Sequence, residues 1–174
     1  MTLDGAMAST RIVAINGALS PFKGAASRLF PAMAKLLFVN PLTNRFFVWR
    51  AGQTGAVQRL IEGMGSHIPA RSLAISQRLF LAPAHIAGAL AMMANWDLDA
   101  IEEALPRLGP RLVHLVGSND RAIPPDEAFR IAKRVPGATV EPLRGPGHLM
   151  HEEDPQVVAD MIVKAVADVK AGVR

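Results

Sequence analysis

Two polar residues that could act as an acid and a base each follow an apolar stretch. Asp120 lies in the turn after Leu112–Gly117, and His148 lies in the loop Gly145-Pro146-Gly147-His148. A carboxylate that accepts a hydrogen bond from a histidine ring fixes the tautomer of that ring and stabilises its cationic form. This is the arrangement of the acid and base in a Ser-His-Asp triad. The sequence therefore predicts Asp120 and His148 as catalytic positions.

The third member of such a triad, the nucleophile, is expected earlier in the chain. When the order is Ser, Asp, His, the serine stands on a G-x-S-x-G elbow between a strand and a helix. The sequence contains no G-x-S-x-G, and neither Ser66 nor Ser118 lies on an elbow. We therefore expect a chain that lacks the nucleophile-bearing front of its fold.

A purely structural interpretation of the same residues stays open. Asp120 could cap the helix that starts near Pro124, and His148 could be a loop residue exposed to water. A metal site is not expected, because the run His148-Leu149-Met150-His151-Glu152 differs from both H-E-x-x-H and H-x-x-E-H. No cofactor is expected either. His114 falls within a predicted strand, where we expect an interior or edge residue.

The elements that position Asp120 and His148 follow from the hydrophobic pattern. Short β-branched or apolar runs predict strands, and Pro or Gly breaks separate segments of helical periodicity. The predicted order is a strand at 11–17, a helical insertion at 21–105, a strand at 111–117, a helix from Pro124, a strand at 138–143 and a helix from Pro155. Strands joined by helical crossovers are parallel, which predicts an α/β fold. Asn16, Asp120 and His148 should then meet at one edge of the sheet.

Two helices carry further expectations. Asp97 is a suitable N-cap for the last helix of the insertion, which is predicted to bury Leu98, Ile101 and Leu105 at helical spacing. The final helix is predicted to present an apolar face to the sheet. That face comprises Val158, Met161, Ile162, Ala165, Val166 and Val169.

Composition limits the class of protein. The 174 residues are 50% hydrophobic and 20% charged, which is typical of one packed globular domain. Without cysteine there can be no disulfide and no thiolate metal site. No apolar run reaches the roughly 18 residues that a membrane span needs. Asp4 and the lack of basic residues at the start argue against a signal peptide, so a cytoplasmic protein is expected.

Charge is unevenly distributed along the chain. Before Glu62 the only acidic residue is Asp4, whereas seven basic residues are interleaved with Phe, Trp, Leu and Met side chains. These cations are Arg11, Lys23, Arg28, Lys35, Arg45, Arg50 and Arg59. They fit packed helices with solvated charges, an anionic membrane surface, or an apolar ligand that carries carboxylates. Nucleic-acid binding is not expected, because no base-stacking or phosphate-binding motif accompanies the charges.

Several motifs together resemble one family. They are Asn16-Gly17-Ala18-Leu19-Ser20-Pro21-Phe22, Asn40-Pro41-Leu42, Trp49-Arg50-Ala51, residues 60–66 (LIEGMGS), Met92-Met93-Ala94-Asn95-Trp96-Asp97-Leu98, residues 117–125 (GSNDRAIPP) and residues 147–153 (GHLMHEE). This set resembles the magnesium-chelatase accessory proteins of bacteriochlorophyll biosynthesis, the BchO type, which have an α/β-hydrolase fold. The resemblance implies a truncated α/β-hydrolase fold: a remnant of the core at 1–20, a helical cap at 21–105, and the C-terminal part of the core at 106–174.

The resemblance also implies a function. It implies an auxiliary role in magnesium insertion into protoporphyrin IX, with magnesium-chelatase subunits and the porphyrin as partners and with peripheral contact to the photosynthetic membrane. A tetrapyrrole is a flat apolar plate with propionates, so Arg28, Arg45 and Arg50, with Trp49, are candidate binding residues. Two alternatives stay open: a serine-hydrolase-type esterase acting on an apolar ester, and a truncated chain without independent activity.

Overall fold

The sheet contains three parallel strands. The structure is a computed structural model that describes residues 10–20 and 40–171. Its strands are β1 (Ile12–Ile15), β2 (Leu112–Gly117) and β3 (Thr139–Leu143), in the spatial order β1-β2-β3. Both pairings are parallel, which confirms the predicted α/β class. All six residues of β2 are buried, as expected for the middle strand. No strand in the described residues pairs with the outer edge of β1.

In the described residues, helices lie between and after the strands. Those between β1 and β2 are α1 (Pro41–Ala51), α2 (Ala56–Gly63), α3 (Ala70–Phe80), α4 (Pro83–Ala94) and α5 (Leu98–Ala104), followed by a 3-10 segment (Leu105–Arg111). Those after β2 are α6 (Asp126–Ala132), α7 (Met150–Glu153) and α8 (Pro155–Ala171). The described helices between residues 41 and 104 lie within the range expected for the cap.

Hydrogen bonds to N-cap side chains explain where α1 and α5 begin. Asn40 Oδ1 accepts a hydrogen bond of 2.9 Å from the Leu42 amide, and Pro41 occupies the first turn of α1. Asp97 Oδ1 accepts one of 3.0 Å from the Ala100 amide at the start of α5. The predicted N-cap at Asp97 is therefore confirmed.

Side chains of β2 alternate between two hydrophobic clusters. Val113 and Leu115 pack with Val158 and Ala165 of α8 on one face of the sheet. Leu112, on the opposite face, packs with three other buried residues, Leu105, Ile131 and Val135. The period of two along the strand thus places one core layer on each side of the sheet.

Two residues expected in the core are exposed. Ile101 is 39% exposed, because α5 is a seven-residue helix that reaches the sheet only at its end, where Leu105 is buried. Val166 is 48% exposed, because the side of α8 that meets the sheet is covered by Val158, Met161, Ile162 and Ala165. The expected core positions of Ile101 and Val166 are therefore wrong. The side chain of Val169 lies outside the described residues.

A membrane-spanning helix must be about 18 residues or longer and must be strongly apolar. No single helix within residues 40–171 meets both criteria. α3 and α4 meet them only when taken together, and the two helices are bent by 84° relative to each other.

His114 is a titratable residue in the middle of the sheet. It is 1% exposed and lies opposite Ala14 on β1 and Val140 on β3. Among the described residues, no hydrogen-bond partner reaches its Nε2 atom. Burial lowers the pKa of His114, because the imidazolium loses its hydration inside the sheet.

His114 should make stability fall at acid pH. Its pKa is lower in the folded chain than in the unfolded chain, so the unfolded state binds more protons below about pH 6.5. We expect the free energy of unfolding to decrease as the pH falls through that value, and His114→Leu to weaken the decrease. Urea titrations at pH 7.5 and pH 5.5 measure the free energy of unfolding at each pH. His85→Leu is the control, because His85 is exposed. Equal pH dependence in His114→Leu and the unsubstituted protein would contradict the assignment.

Candidate acid–base site

Both oxygens of the Asp120 carboxylate are hydrogen-bonded. Oδ1 accepts hydrogen bonds from the amides of Ala122 at 2.8 Å and Ile123 at 2.9 Å. Oδ2 lies 2.9 Å from Nδ1 of His148. The Asp120 side chain is fully buried. The predicted contact between Asp120 and His148 is confirmed. Asp120 does not cap the helix near Pro124, which begins at Asp126 without a side-chain cap, because its Oδ1 is engaged with the amides of its own turn.

The ring of His148 is oriented by this contact. An ionised carboxylate only accepts hydrogen bonds, so Nδ1 carries the proton that is donated to Asp120. Nε2 is then the nitrogen that can accept a proton from another molecule when the ring is neutral. The side chain is 27% exposed, so the ring is partly accessible to solvent. This geometry suits general acid–base chemistry, and the catalytic role of both residues stays a prediction.

The peptide groups next to His148 are hydrogen-bonded to other segments of the chain. The Pro146 carbonyl accepts from the Asn119 amide at 3.0 Å, and the Gly147 amide donates to Glu153 Oε1 at 2.8 Å. The His148 amide donates to the Met64 carbonyl at 3.3 Å. Such pairing satisfies buried polar groups and restricts the loop to one conformation.

Asn16 joins the ends of β1 and β2 to the His148 loop. Its Nδ2 donates to the carbonyls of Gly147 at 2.9 Å and His148 at 2.8 Å, and its Oδ1 accepts from the Gly117 amide at 2.8 Å. The backbone of Asn16 has a φ of 46°, a left-handed conformation that asparagine tolerates better than most residues. Sequence reasoning placed Asn16 at this edge but missed its bridging role.

Glycines allow the loops of the site to touch backbone to backbone. A Cβ added at Gly147 would lie 2.2 Å from the carbonyl carbon of Gly65, and one at Gly117 would lie 2.5 Å from the Pro146 oxygen. Neither distance is compatible with a side chain. The close approach of these backbones therefore requires glycine at both positions.

The other predicted site residues lie on α1 or outside the described residues. Arg45, Trp49 and Arg50 are on α1 and are exposed, Trp49 by 61%. Arg28 lies outside the described residues. Within the part of the chain that the structure describes, no hydrogen bond or ion pair joins the α1 residues to Asp120 or His148, and no group of three metal-ligating side chains is present.

A family profile for the alpha/beta hydrolase family matches residues 3–161, which is most of the chain. The chain belongs to the alpha/beta hydrolase family. It is also 36% identical over 157 residues to the magnesium-chelatase 30 kDa subunit of Rhodobacter capsulatus. This alignment confirms the resemblance drawn from the sequence motifs. It covers 88% of the chain and 54% of the relative, so the chain spans about half the length of that protein.

Solved structures of other proteins share the fold. An esterase from Thermogutta terrifontis has a TM-score of 0.57 at 20% identity, over 90% of this chain and 55% of the esterase. A loop variant of a haloalkane dehalogenase from Bradyrhizobium elkanii has a TM-score of 0.55 at 15% identity, over 94% of this chain and 58% of that one. At these identities the likeness concerns the fold alone.

Removing the Asn16 side chain should destabilise the protein. Asn16→Gly keeps the left-handed backbone accessible but leaves two carbonyls and one amide without their partner, so we expect the free energy of unfolding to fall by about 2–4 kcal/mol. Urea denaturation measures the change. Asn16→Ala should lose more, since alanine disfavours the positive φ. A loss below about 0.5 kcal/mol in Asn16→Gly, the usual range for surface substitutions, would contradict this role.

Proposed function

We propose that the protein assists magnesium chelatase as an accessory component in the insertion of magnesium into protoporphyrin IX. The observation that carries the proposal is the 36% identity, over 88% of the chain, to a relative named as a magnesium-chelatase subunit. Chelatase subunits and the porphyrin are the partners in this proposal.

The exposed face of α1 supports a tetrapyrrole ligand. Its side chains follow the spacing i, i+3, i+4, i+7 and i+8, so they share one side of the helix. These residues are Leu42, Arg45, Phe46, Trp49 and Arg50, and all five are exposed. The Phe46 and Trp49 rings are 5.9 Å apart between centroids. The rings offer a surface for a flat apolar plate, and the guanidinium groups offer partners for its propionates.

The charge of the cap up to the end of α4 supports the same ligand class, whereas the last part of the cap is acidic, with Asp97, Asp99, Glu102 and Glu103. Between residues 40 and 94 the basic side chains are Arg45, Arg50, Arg59, Arg71 and Arg78, whereas Glu62 is the acidic one. This excess of positive charge attracts carboxylates before contact is made. An anionic membrane surface would be attracted by the same residues, so peripheral contact with the photosynthetic membrane belongs to the proposal as a second role of this face.

Substitutions on α1 should weaken porphyrin binding. We expect protoporphyrin IX to change its absorbance on titration with the protein, and Trp49→Ala or Arg45→Gln to raise the Kd about tenfold, the effect of losing one aromatic contact or one charged pair. Trp96→Ala is the matched control, because Trp96 is 45% exposed but lies outside α1.

The absence of any absorbance change would contradict the porphyrin assignment. An equal loss of affinity in Trp49→Ala and Trp96→Ala would contradict the placement of the ligand on the α1 face. Sedimentation with phosphatidylglycerol vesicles tests the membrane role separately. If Trp49→Ala reduces vesicle binding and leaves the porphyrin titration unchanged, the α1 face contacts lipid and does not bind the porphyrin.

The esterase remains the second candidate, and the contact between Asp120 and His148 is the observation that favours it. It requires a nucleophile, and this sequence contains no elbow serine. A longer form of the protein that carried a G-x-S-x-G elbow should hydrolyse 4-nitrophenyl butyrate, and His148→Ala should reduce kcat by about a thousandfold or more. Turnover that is the same in His148→Ala would exclude this function.

A further inference from the structure

The link between α2 and α3 contacts both loops of the acid–base site. The Met64 carbonyl accepts a hydrogen bond from the Arg121 amide at 3.2 Å, beside Asp120, and another from the His148 amide at 3.3 Å. A carbonyl oxygen has two lone pairs, so one peptide group of the cap serves both loops. A shift of this peptide would displace Asp120 and His148 together.

The local sequence explains the shape of the link. The Ser66 amide donates to the Ile61 carbonyl at 3.2 Å, and the Gly65 amide donates to the Glu62 carbonyl at 2.9 Å. This pair of bonds is the Schellman motif, which ends a helix at a residue in the left-handed conformation. Gly65 has a φ of 85°, and a Cβ there would lie 1.9 Å from the Asn119 oxygen. The end of α2 therefore packs directly against the backbone of the turn that carries Asp120.

Ser66 and Glu153 connect this link to the residues on either side of His148. Ser66 is fully buried, and its Oγ accepts from the Leu149 amide at 2.8 Å. The carboxylate of Glu153 accepts from the Gly147 amide at 2.8 Å through Oε1 and from the His67 amide at 3.1 Å through Oε2. Both neighbours of His148 are thus connected to the link between α2 and α3, which we call the cap link. Leu149 is bonded to it directly, and Gly147 is connected to it through Glu153.

We propose that Ser66 and Glu153 are positioning residues that transmit the position of the cap to the His148 ring. The ring can keep its hydrogen bond to Asp120 only while the peptide groups before and after His148 stay in place. The Leu149 amide is bonded to Ser66, which is part of the link between α2 and α3. The Gly147 amide is bonded to Glu153, which also accepts from the His67 amide of that link. A ligand that moves the cap would therefore change the Asp120–His148 contact.

This role also explains why Ser66 is not a nucleophile. Its hydroxyl is buried and engaged with the Leu149 amide. It has no exposed surface from which to attack a substrate. The buried hydroxyl serves the loop that carries the base.

Solvent exchange of the His148 Nδ1 proton tests the proposal. In Ser66→Ala the Leu149 amide loses its acceptor, and we expect this proton, followed by NMR in protein with 15N-labelled histidine, to exchange about tenfold faster, as for the loss of one net hydrogen bond. Ser76→Ala is the matched control, because Ser76 lies on α3 and makes none of the described hydrogen bonds to the site. Unchanged exchange in Ser66→Ala would overturn the proposal.

A second variant separates positioning from general loss of stability. Glu153→Gln keeps the size of the side chain but leaves one of its two backbone partners without an acceptor, so it should accelerate the same proton. The Val113 amide in β2 serves as the internal reference, and it should exchange at an unchanged rate in both variants. If Val113 accelerates as much as His148, the residues support the whole fold and positioning is excluded.

The readout is independent of the proposed ligand. It follows a proton of His148 in the chain alone, so a failure of protoporphyrin binding leaves the result interpretable. If Ser66→Ala accelerates His148 exchange while the porphyrin titration is negative, the cap controls the acid–base pair and the proposed function is wrong. If the titration is positive and exchange is unchanged, the positioning role is wrong.

Discussion

The structure of the site depends on the hydrogen bonding of the backbone around His148. The described peptide groups from the Pro146 carbonyl to the Leu149 amide all have partners. Glu153 on the nearby α7 supplies one of these partners, and the others come from three distant segments. Asn16 follows β1, Asn119 follows β2, and the Met64–Ser66 link belongs to the cap. A loop that lost one of these contacts would leave a polar group buried without a partner. The His148 loop therefore takes its conformation only when cap and sheet are assembled together.

The fold and the acid–base contact could be predicted because their signals are local. Apolar runs predict strands, and parallel strands place Asp120 and His148 at one edge of the sheet whatever the details of packing. The roles of Ser66 and Glu153 could not be predicted, since their partners lie 83 and 86 residues away and no local pattern indicates them. The exposure of Ile101 could not be predicted for a related reason. Helical periodicity predicts which face is apolar, but not how far along the helix the sheet extends.

Aromatic rings and arginines share one exposed face of α1, which is a different element from the loops that carry the acid–base pair. The exposed face of α1 combines aromatic rings with Arg45 and Arg50, whereas Asp120 and His148 are held in a buried network of backbone groups. Recognition and proton chemistry would then belong to separate parts of the molecule. The Met64–Ser66 link bonds the cap to the loops that carry Asp120 and His148. Through this link, a ligand bound to the cap could change the positions of Asp120 and His148.

The contact between Asp120 and His148 is not by itself evidence for hydrolysis. One carboxylate oxygen stabilises the turn, and the other would be buried without a partner if the ring were removed. The pair would therefore be favoured for folding alone, in a chain of any function. Its Nδ1 atom serves this structural role, and the backbone of His148 is engaged on both sides. Within the described residues, Nε2 is the polar atom of His148 without a bonded partner. Chemistry at this site must consequently pass through Nε2, and a functional role for the pair requires a ligand that reaches that atom.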